Sequence, residues 1–164
     1  MPRARGAVKE TALKTRGIAV RRARPSDVPM MCRLLEELFR MEYDFEPDAG
    51  RQEKGLRALL KRRKSAVLLV AEKAGEVLGM CSVQVLISTA EGGRVGLLED
   101  LVVKDGLRGF GIGSALLTEA LKWCAFRGLL RVQLLRDAGN GPALDFYTHR
   151  GWSGTRLVCM RRRL

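Results

Sequence analysis

Leu97-Leu98-Glu99-Asp100-Leu101-Val102-Val103-Lys104-Asp105-Gly106-Leu107-Arg108-Gly109-Phe110-Gly111-Ile112-Gly113-Ser114 carries an apolar strand through a glycine-rich loop into a helix. Arg94–Val103 reads as the strand. Ile112–Arg127 reads as the helix, with Ile112, Leu116, Ala120, Trp123 and Cys124 on one face, as packing on a sheet requires. Between them, three glycines in five positions strip side chains from a loop that opens a helix. Backbone N–H groups are then exposed at the positive end of the helix dipole, where a phosphate or pyrophosphate is favoured. Arg108 adds a permanent cation. A tight turn needing positive φ would also use glycines, so the flanking residues must decide. A dinucleotide fingerprint needs a glycine where Ser114 stands and an acid about 20 residues on, and a Walker loop needs Gly-Lys-Ser/Thr. Neither pattern is present.

A second pattern lies downstream in Asn140-Gly141-Pro142-Ala143-Leu144-Asp145-Phe146-Tyr147-Thr148-His149-Arg150-Gly151-Trp152. Arg108, Gly111 and Gly113 match the Arg/Gln-x-x-Gly-x-Gly/Ala signature of the GNAT superfamily of acyl-CoA-dependent N-acetyltransferases. The second stretch resembles that family's Asn-x-x-Ala-x-x-Phe-Tyr-x-x-x-Gly-Phe segment, with Trp152 in place of Phe. The similarity covers about residues 17–160. Within the family, Leu98-Glu99-Asp100, Arg108–Ser114, Glu37-Leu38 and Glu42-Tyr43 resemble the diamine N-acetyltransferases.

The resemblance implies a mixed α/β (α+β) fold with a central, mostly antiparallel sheet of about 6–7 strands and helices on both faces. It implies acetyl-CoA as co-substrate, a primary amine acceptor and no metal. Backbone groups of Leu101, Val102 and Val103 would bind the pantetheine arm. Arg108, Gly109, Phe110, Gly111, Ile112, Gly113 and Ser114 would hold the pyrophosphate, and Asn140, Gly141, Pro142 and Ala143 would line the cofactor from the other side. Loss of a strand N–H that stabilises the oxyanion of acyl transfer typically costs about 3 kcal/mol.

An alkyl amine has a pKa of about 10.4, so a base must take its proton before it attacks an acyl carbon. Glu99 is the candidate, since a carboxylate in an apolar strand is costly without a purpose. Alternation sends Asp100 to the opposite face, and a structural ion pair is the competing explanation for Glu99. Tyr147 stands where the resembled family keeps the acid that protonates the departing thiolate; the plainer alternative is a core aromatic beside Phe146. His149 reads as a surface histidine. Glu36, Glu37, Glu42, Asp44, Glu46 and Asp48 place six acids in thirteen residues. The family builds its acceptor site partly here, so Glu42 and Tyr43 are the candidate substrate-binding residues, with Phe45 adding aromatic surface for an alkylammonium. Met41 replaces an aromatic residue expected in diamine-specific relatives.

At 164 residues the chain can bury a core without staples. Cys32, Cys81, Cys124 and Cys159 are far apart and His149 is the only histidine, which argues against a zinc site or a disulfide framework and fits a reducing, cytoplasmic setting. No cysteine lies in either motif, so direct transfer in a ternary complex is expected rather than a covalent acyl-enzyme. No run reaches membrane-spanning length, and no membrane partner is expected. The net charge of +12 is spread over a basic arm, Lys61-Arg62-Arg63-Lys64 and Arg161–Arg163. Nucleic acid or a ribosomal particle is suggested by that charge alone; a solvated surface is the favoured explanation, because no aromatic residues interleave with the charges. Residues 1–15 are expected to be a mobile basic arm and 16–164 a single domain. A homodimer is left open, as are a protein lysine or N-terminal acceptor and a non-catalytic acyl-CoA-binding module.

Further elements follow from periodicity. Strands are expected at Ile18–Arg22, Val67–Glu72, Val77–Ser88, Leu129–Leu135 and Thr155–Arg161, and helices at Val28–Met41 (capped by Ser26 or Asp27), Arg51–Arg63 and Pro142–Arg150.

Overall fold

The structure, a computed structural model, describes residues 17–42 and 44–164. The expected arm over residues 1–15 lies outside the described residues, as does Tyr43. The elements run β1 (Ala19–Arg22), a 3-10 turn (Pro25–Asp27), α1 (Val28–Met41), α2 (Ala49–Lys61), β2 (Ala66–Lys73), β3 (Glu76–Ser88), β4 (Gly93–Val103), α3 (Ile112–Phe126), β5 (Val132–Leu134) and α4 (Gly141–Thr148). One compact unit ends at Gln133 and a second comprises Leu134–Leu164.

The sheet has the order β1-β2-β3-β4-β5, and the first three pairings are antiparallel. Leu130 N–H donates to Arg94 C=O and Gly96 N–H to Arg131 C=O, bonds that advance together along both segments as in a parallel pair. Residues 66–71 of β2 are all buried, because both faces of the sheet are covered. One face receives α1 and α2: Val28, Met31, Leu34, Leu35 and Leu56 pack with Val70, Met80 and Val102. Each such side chain contributes roughly 1.5–3 kcal/mol by leaving water. The other face receives α3, whose Ile112 and Leu116 lie against Gly79. A Cβ at Gly79 would stand 2.9 Å from the Val102 carbonyl oxygen and 3.2 Å from Leu116, so only glycine lets the helix settle on β3.

The fold class is as expected, with corrections in detail. The sheet has five strands, not six or seven. Thr155–Arg161 is not a strand; Leu157, Val158 and Met160 are exposed. The apolar run of Leu157, Val158, Cys159 and Met160 is a local signal, whereas a strand also needs a neighbouring ladder, and none pairs with this segment among the described residues. The fifth strand is shorter than Leu129–Leu135 because Leu129 N–H closes α3 on the Cys124 carbonyl. Asp27 stands at the N-cap position of α1, but its carboxylate bonds no N–H of that helix and closes the preceding 3-10 turn instead. Its carboxylate accepts two bonds from the Arg21 guanidinium at 2.7 and 3.0 Å and one from Arg24 N–H at 2.6 Å. The Arg21 partner holds the Asp27 carboxyl below its usual range, against an upward push from burial. Asp48 is the true cap of α2, accepting from Arg51 N–H at 3.0 Å, so that helix starts two residues earlier than expected.

Candidate active site

Strand β4 changes character at Glu99. Met80 pairs with Val102 and Ser82 with Glu99, so Asp100 and Leu101 together stand opposite the single residue Cys81. This is a β-bulge, and Asp100 takes a left-handed backbone with φ 56°. Simple alternation therefore fails here. Glu99 and Val102 end up on the α1–α2 face, and the carboxyl of Asp100 is re-aimed. An aspartate tolerates this backbone better than a branched residue would.

Glu99 is half-buried and accepts a hydrogen bond from the Gln84 amide at 2.8 Å, while its carbonyl receives the Ser82 hydroxyl at 3.3 Å. The partner is an amide, not the basic residue of an ion pair. Asp100 is enclosed closely enough that burial pushes its carboxyl up to about 7, with the charges of Glu99 and then Glu42 adding to the shift. Three carboxylates thus share one corner: Glu42 at the C-terminus of α1 and the pair at the bulge. The sequence offered both acids of the pair. It gave no sign that Asp100 would be the perturbed one, because the bulge is a property of register.

Cys81 is another residue the motifs did not indicate. It sits opposite the bulge, fully buried, and burial aided by the Asp100 charge pushes its thiol up to about 12. A thiol so protonated is a poor nucleophile near neutral pH.

Beyond the bulge, β4 outruns its outer neighbour. Val132, the first residue of β5, lies against Gly96, and three residues from there extend no further than Glu99. The outer backbone edge of Leu101–Val103 has no strand beside it among the described residues. The loop that follows is tied down at two points. Asp105 N–H donates to Glu37 at 3.1 Å, and Arg108 donates from Nε to the Val103 carbonyl at 3.2 Å and reaches the Met41 sulfur at 3.3 Å. Gly109 and Gly111 have φ of 83° and 85°, and a Cβ at either would meet nothing within 4 Å. Their space is open, and Gly111 is the N-cap of α3 with no side-chain cap on that terminus. Backbone donors, open space beside Gly109 and Gly111 and the Arg108 cation form an arrangement suited to a pyrophosphate.

In the second unit, Asn140 caps α4 by accepting from Ala143 N–H at 3.0 Å, with Gly141 and Pro142 in the first turn. Tyr147 is half-buried, edge-on to Phe146 and Trp152 at ring separations of 5.1 and 5.6 Å. His149 is exposed and its Nδ1 bonds the Asp145 carbonyl. Among the described residues no cluster of three metal-ligating side chains occurs, and no helix is long and apolar enough to cross a membrane.

The family model for the acetyltransferase (GNAT) family matches residues 29–152, a span that contains α1, the bulged strand, the glycine loop and α4. This chain belongs to the GNAT acetyltransferase family. It is an acyltransferase, and its sheet and helices are a GNAT fold. An uncharacterised N-acetyltransferase of Bacillus subtilis, YhfO, is 29% identical over 133 residues, 81% of this chain and 88% of that protein. Among solved structures, a Trypanosoma brucei acetyltransferase superposes with a TM-score of 0.69 at 26% identity, covering 90% of this chain and 99% of its own. A possible acetyltransferase from Clostridium difficile reaches 0.78 at 18% identity, over 90% and 97% of the two chains, and shares the fold.

Proposed function

We propose that this GNAT enzyme moves an acetyl group from acetyl-CoA to a primary amine on a small cationic acceptor, such as a polyamine or amino acid, by direct attack in a ternary complex. The observation that carries this reading is the convergence of Glu42, Glu99 and Asp100 at the bulge, next to an unpaired strand edge and an open glycine loop. Acetyl-CoA supplies the activated acyl carbon. Gly109–Ser114 and Arg108 hold its pyrophosphate, and the free edge of Leu101–Val103 binds its arm. Two or three carboxylates attract an ammonium group and lower the cost of bringing it out of water.

Glu99 accepts the proton that the ammonium must lose, directly or through a water. Asp100, with a carboxyl near 7, exchanges protons in the same range and is the alternative base. A bond forms between the amine nitrogen and the acetyl carbon, the carbon–sulfur bond breaks, the thiolate takes a proton from the Tyr147 hydroxyl, and the second proton shed by the nitrogen returns through water to the tyrosinate. The buried Cys81 thiol, held up near 12, supports direct transfer over a thioester on the enzyme. Glu42, at the end of α1, lines the acceptor side. The kinship to diamine acetyltransferases rests on Glu37, Glu42 and Leu98-Glu99-Asp100; Met41 weighs against a site committed to polyamines.

Calorimetric titration with acetyl-CoA at low and high salt, followed by thiol release against separate panels of small amines and peptides, tests the reading. Salt-resistant stoichiometric binding and turnover on small amines are expected. Turnover on peptides alone would transfer the acceptor to a protein lysine or N-terminus. Binding without turnover on either panel would leave an acyl-CoA-binding module and overturn the proposal.

A further inference from the structure

The end of the sheet remote from the glycine loop carries a surface for which acetyl transfer has no use. About 30 Å of strand separates Arg94 from Val103, so this end is far from the loop that follows β4. The antiparallel register of β2 and β3 pairs Ala66 with Gln84, and Val85 N–H bonds the Ser65 carbonyl, so the turn closed by Ser65 N–H on the Arg62 carbonyl stands beside the end of β3. Ile87 pairs with Arg94, and the Arg94 carbonyl takes the Leu130 N–H. Arg127, which follows Phe126 at the end of α3, donates to the Lys64 carbonyl. Cations from three segments and exposed apolar side chains thus gather at this end of the sheet. Ile87, Phe126 and Leu130 are 75%, 88% and 61% exposed, and Lys61, Arg62, Arg63, Lys64 and Arg94 are all exposed. The nearby Glu91 is neutralised by Arg131 at 2.9 Å. At the same corner Trp123 Nε1 and Arg127 Nε are buried donors without an acceptor.

We propose that this cationic, apolar end of the sheet docks on an anionic phospholipid surface, leaving the glycine loop and the bulge facing away from it. Charge complementarity selects an anionic occupant, since a second copy across a two-fold axis would set like charges against each other. The exposed aliphatic side chains then select among anionic partners. Ile87 and Leu130 have nothing to stack on in a nucleic acid, whereas in a lipid interface they and Phe126 enter the acyl boundary while lysine and arginine bind headgroup phosphates. Lack of a spanning segment excluded a membrane partner in the sequence, but docking at a surface requires none.

Co-sedimentation of the full chain with vesicles of phosphatidylcholine, alone or with phosphatidylglycerol, tests the proposal. The mixed vesicles are expected to bind, and the neutral ones to bind at least about tenfold more weakly. Charge reversal in R62E/R63E should weaken binding about thirtyfold, at about 1 kcal/mol for each cation removed. F126S/I87S should weaken it about tenfold, with the thermal midpoint of both variants followed as a folding control. Equal partition to neutral vesicles, no partition to either, or binding that survives both double variants would overturn the proposal. So would tight binding to a duplex RNA that is lost in R62E/R63E and untouched in F126S/I87S, which would give the surface to nucleic acid.

Discussion

The two halves of β4 are one strand with two jobs. From Gly93 to Leu98 it has β3 on one side and, on the other, Leu130 and Arg131 leading into β5, with Val95 and Leu98 buried. From Glu99 to Val103 the inner edge still pairs with β3, but through a bulge, and the outer edge is open. The enclosed half accounts for stability. The open half gathers acids where a carboxylate is expensive and exposes N–H and C=O groups that a sheet would otherwise consume. The proposed site occupies the stretch of strand that the fold leaves incompletely satisfied.

That contrast can be broken from either side. The largest effect is expected in the enclosed half: Leu98→Ala should cost about 3 kcal/mol in urea unfolding, from lost burial and a residual cavity. A value under about 1 kcal/mol would mean that this half is no better packed than the other. Nearly as large in free energy, but on activity alone, Glu99→Gln should lower kcat about a hundredfold and flatten the acid limb of the pH–rate profile. The amide of glutamine can keep the Gln84 hydrogen bond, so its unfolding midpoint should stay put. A retained acid limb would hand the base role to Asp100.

Asp100→Asn sharpens the comparison through pH. A carboxyl raised from its ordinary 3.8 to about 7 keeps its proton longer in the folded chain. The folded state therefore loses stability as pH rises from about 4 to 7, and the loss is complete above 7. Asparagine, which accepts the left-handed backbone, should raise stability by about 2 kcal/mol at pH 8 and by little at pH 4. Equal gains at both values would place the cause in the backbone instead of the charge. The smallest effect is expected at the loop: Arg108→Ala should weaken acetyl-CoA binding about tenfold, read by calorimetry, without moving kcat. Tyr147→Phe, in the second unit, should do the reverse, lowering turnover about tenfold at unchanged cofactor affinity.

Most of the element order was legible, because periodicity of two or near 3.6 is written by burial on one face, as in Val28–Met41 and Ile112–Phe126. The errors share one cause. Thr155–Arg161 reads as a strand but finds no ladder, Asp27 holds the N-cap position while its carboxylate turns to Arg21 and Arg24, and Asp100 was assigned a face by counting. In each case a partner outside the local pattern decides the outcome, Arg21 on β1 for Asp27 and neighbouring strands for the other two.

The sequence by itself determined the family. The signatures at Arg108–Ser114 and Asn140–Trp152 are local, because a helix N-terminus, its glycines and its cap are neighbours along the chain. Only the tertiary structure decided which acid is perturbed, that Cys81 lies opposite the bulge as a protonated thiol, that Gly79 must lack a side chain, and that cations from three separate segments meet Ile87 and Phe126 at one end of the sheet. Those features arise from register and packing between residues remote in sequence, which no local pattern encodes.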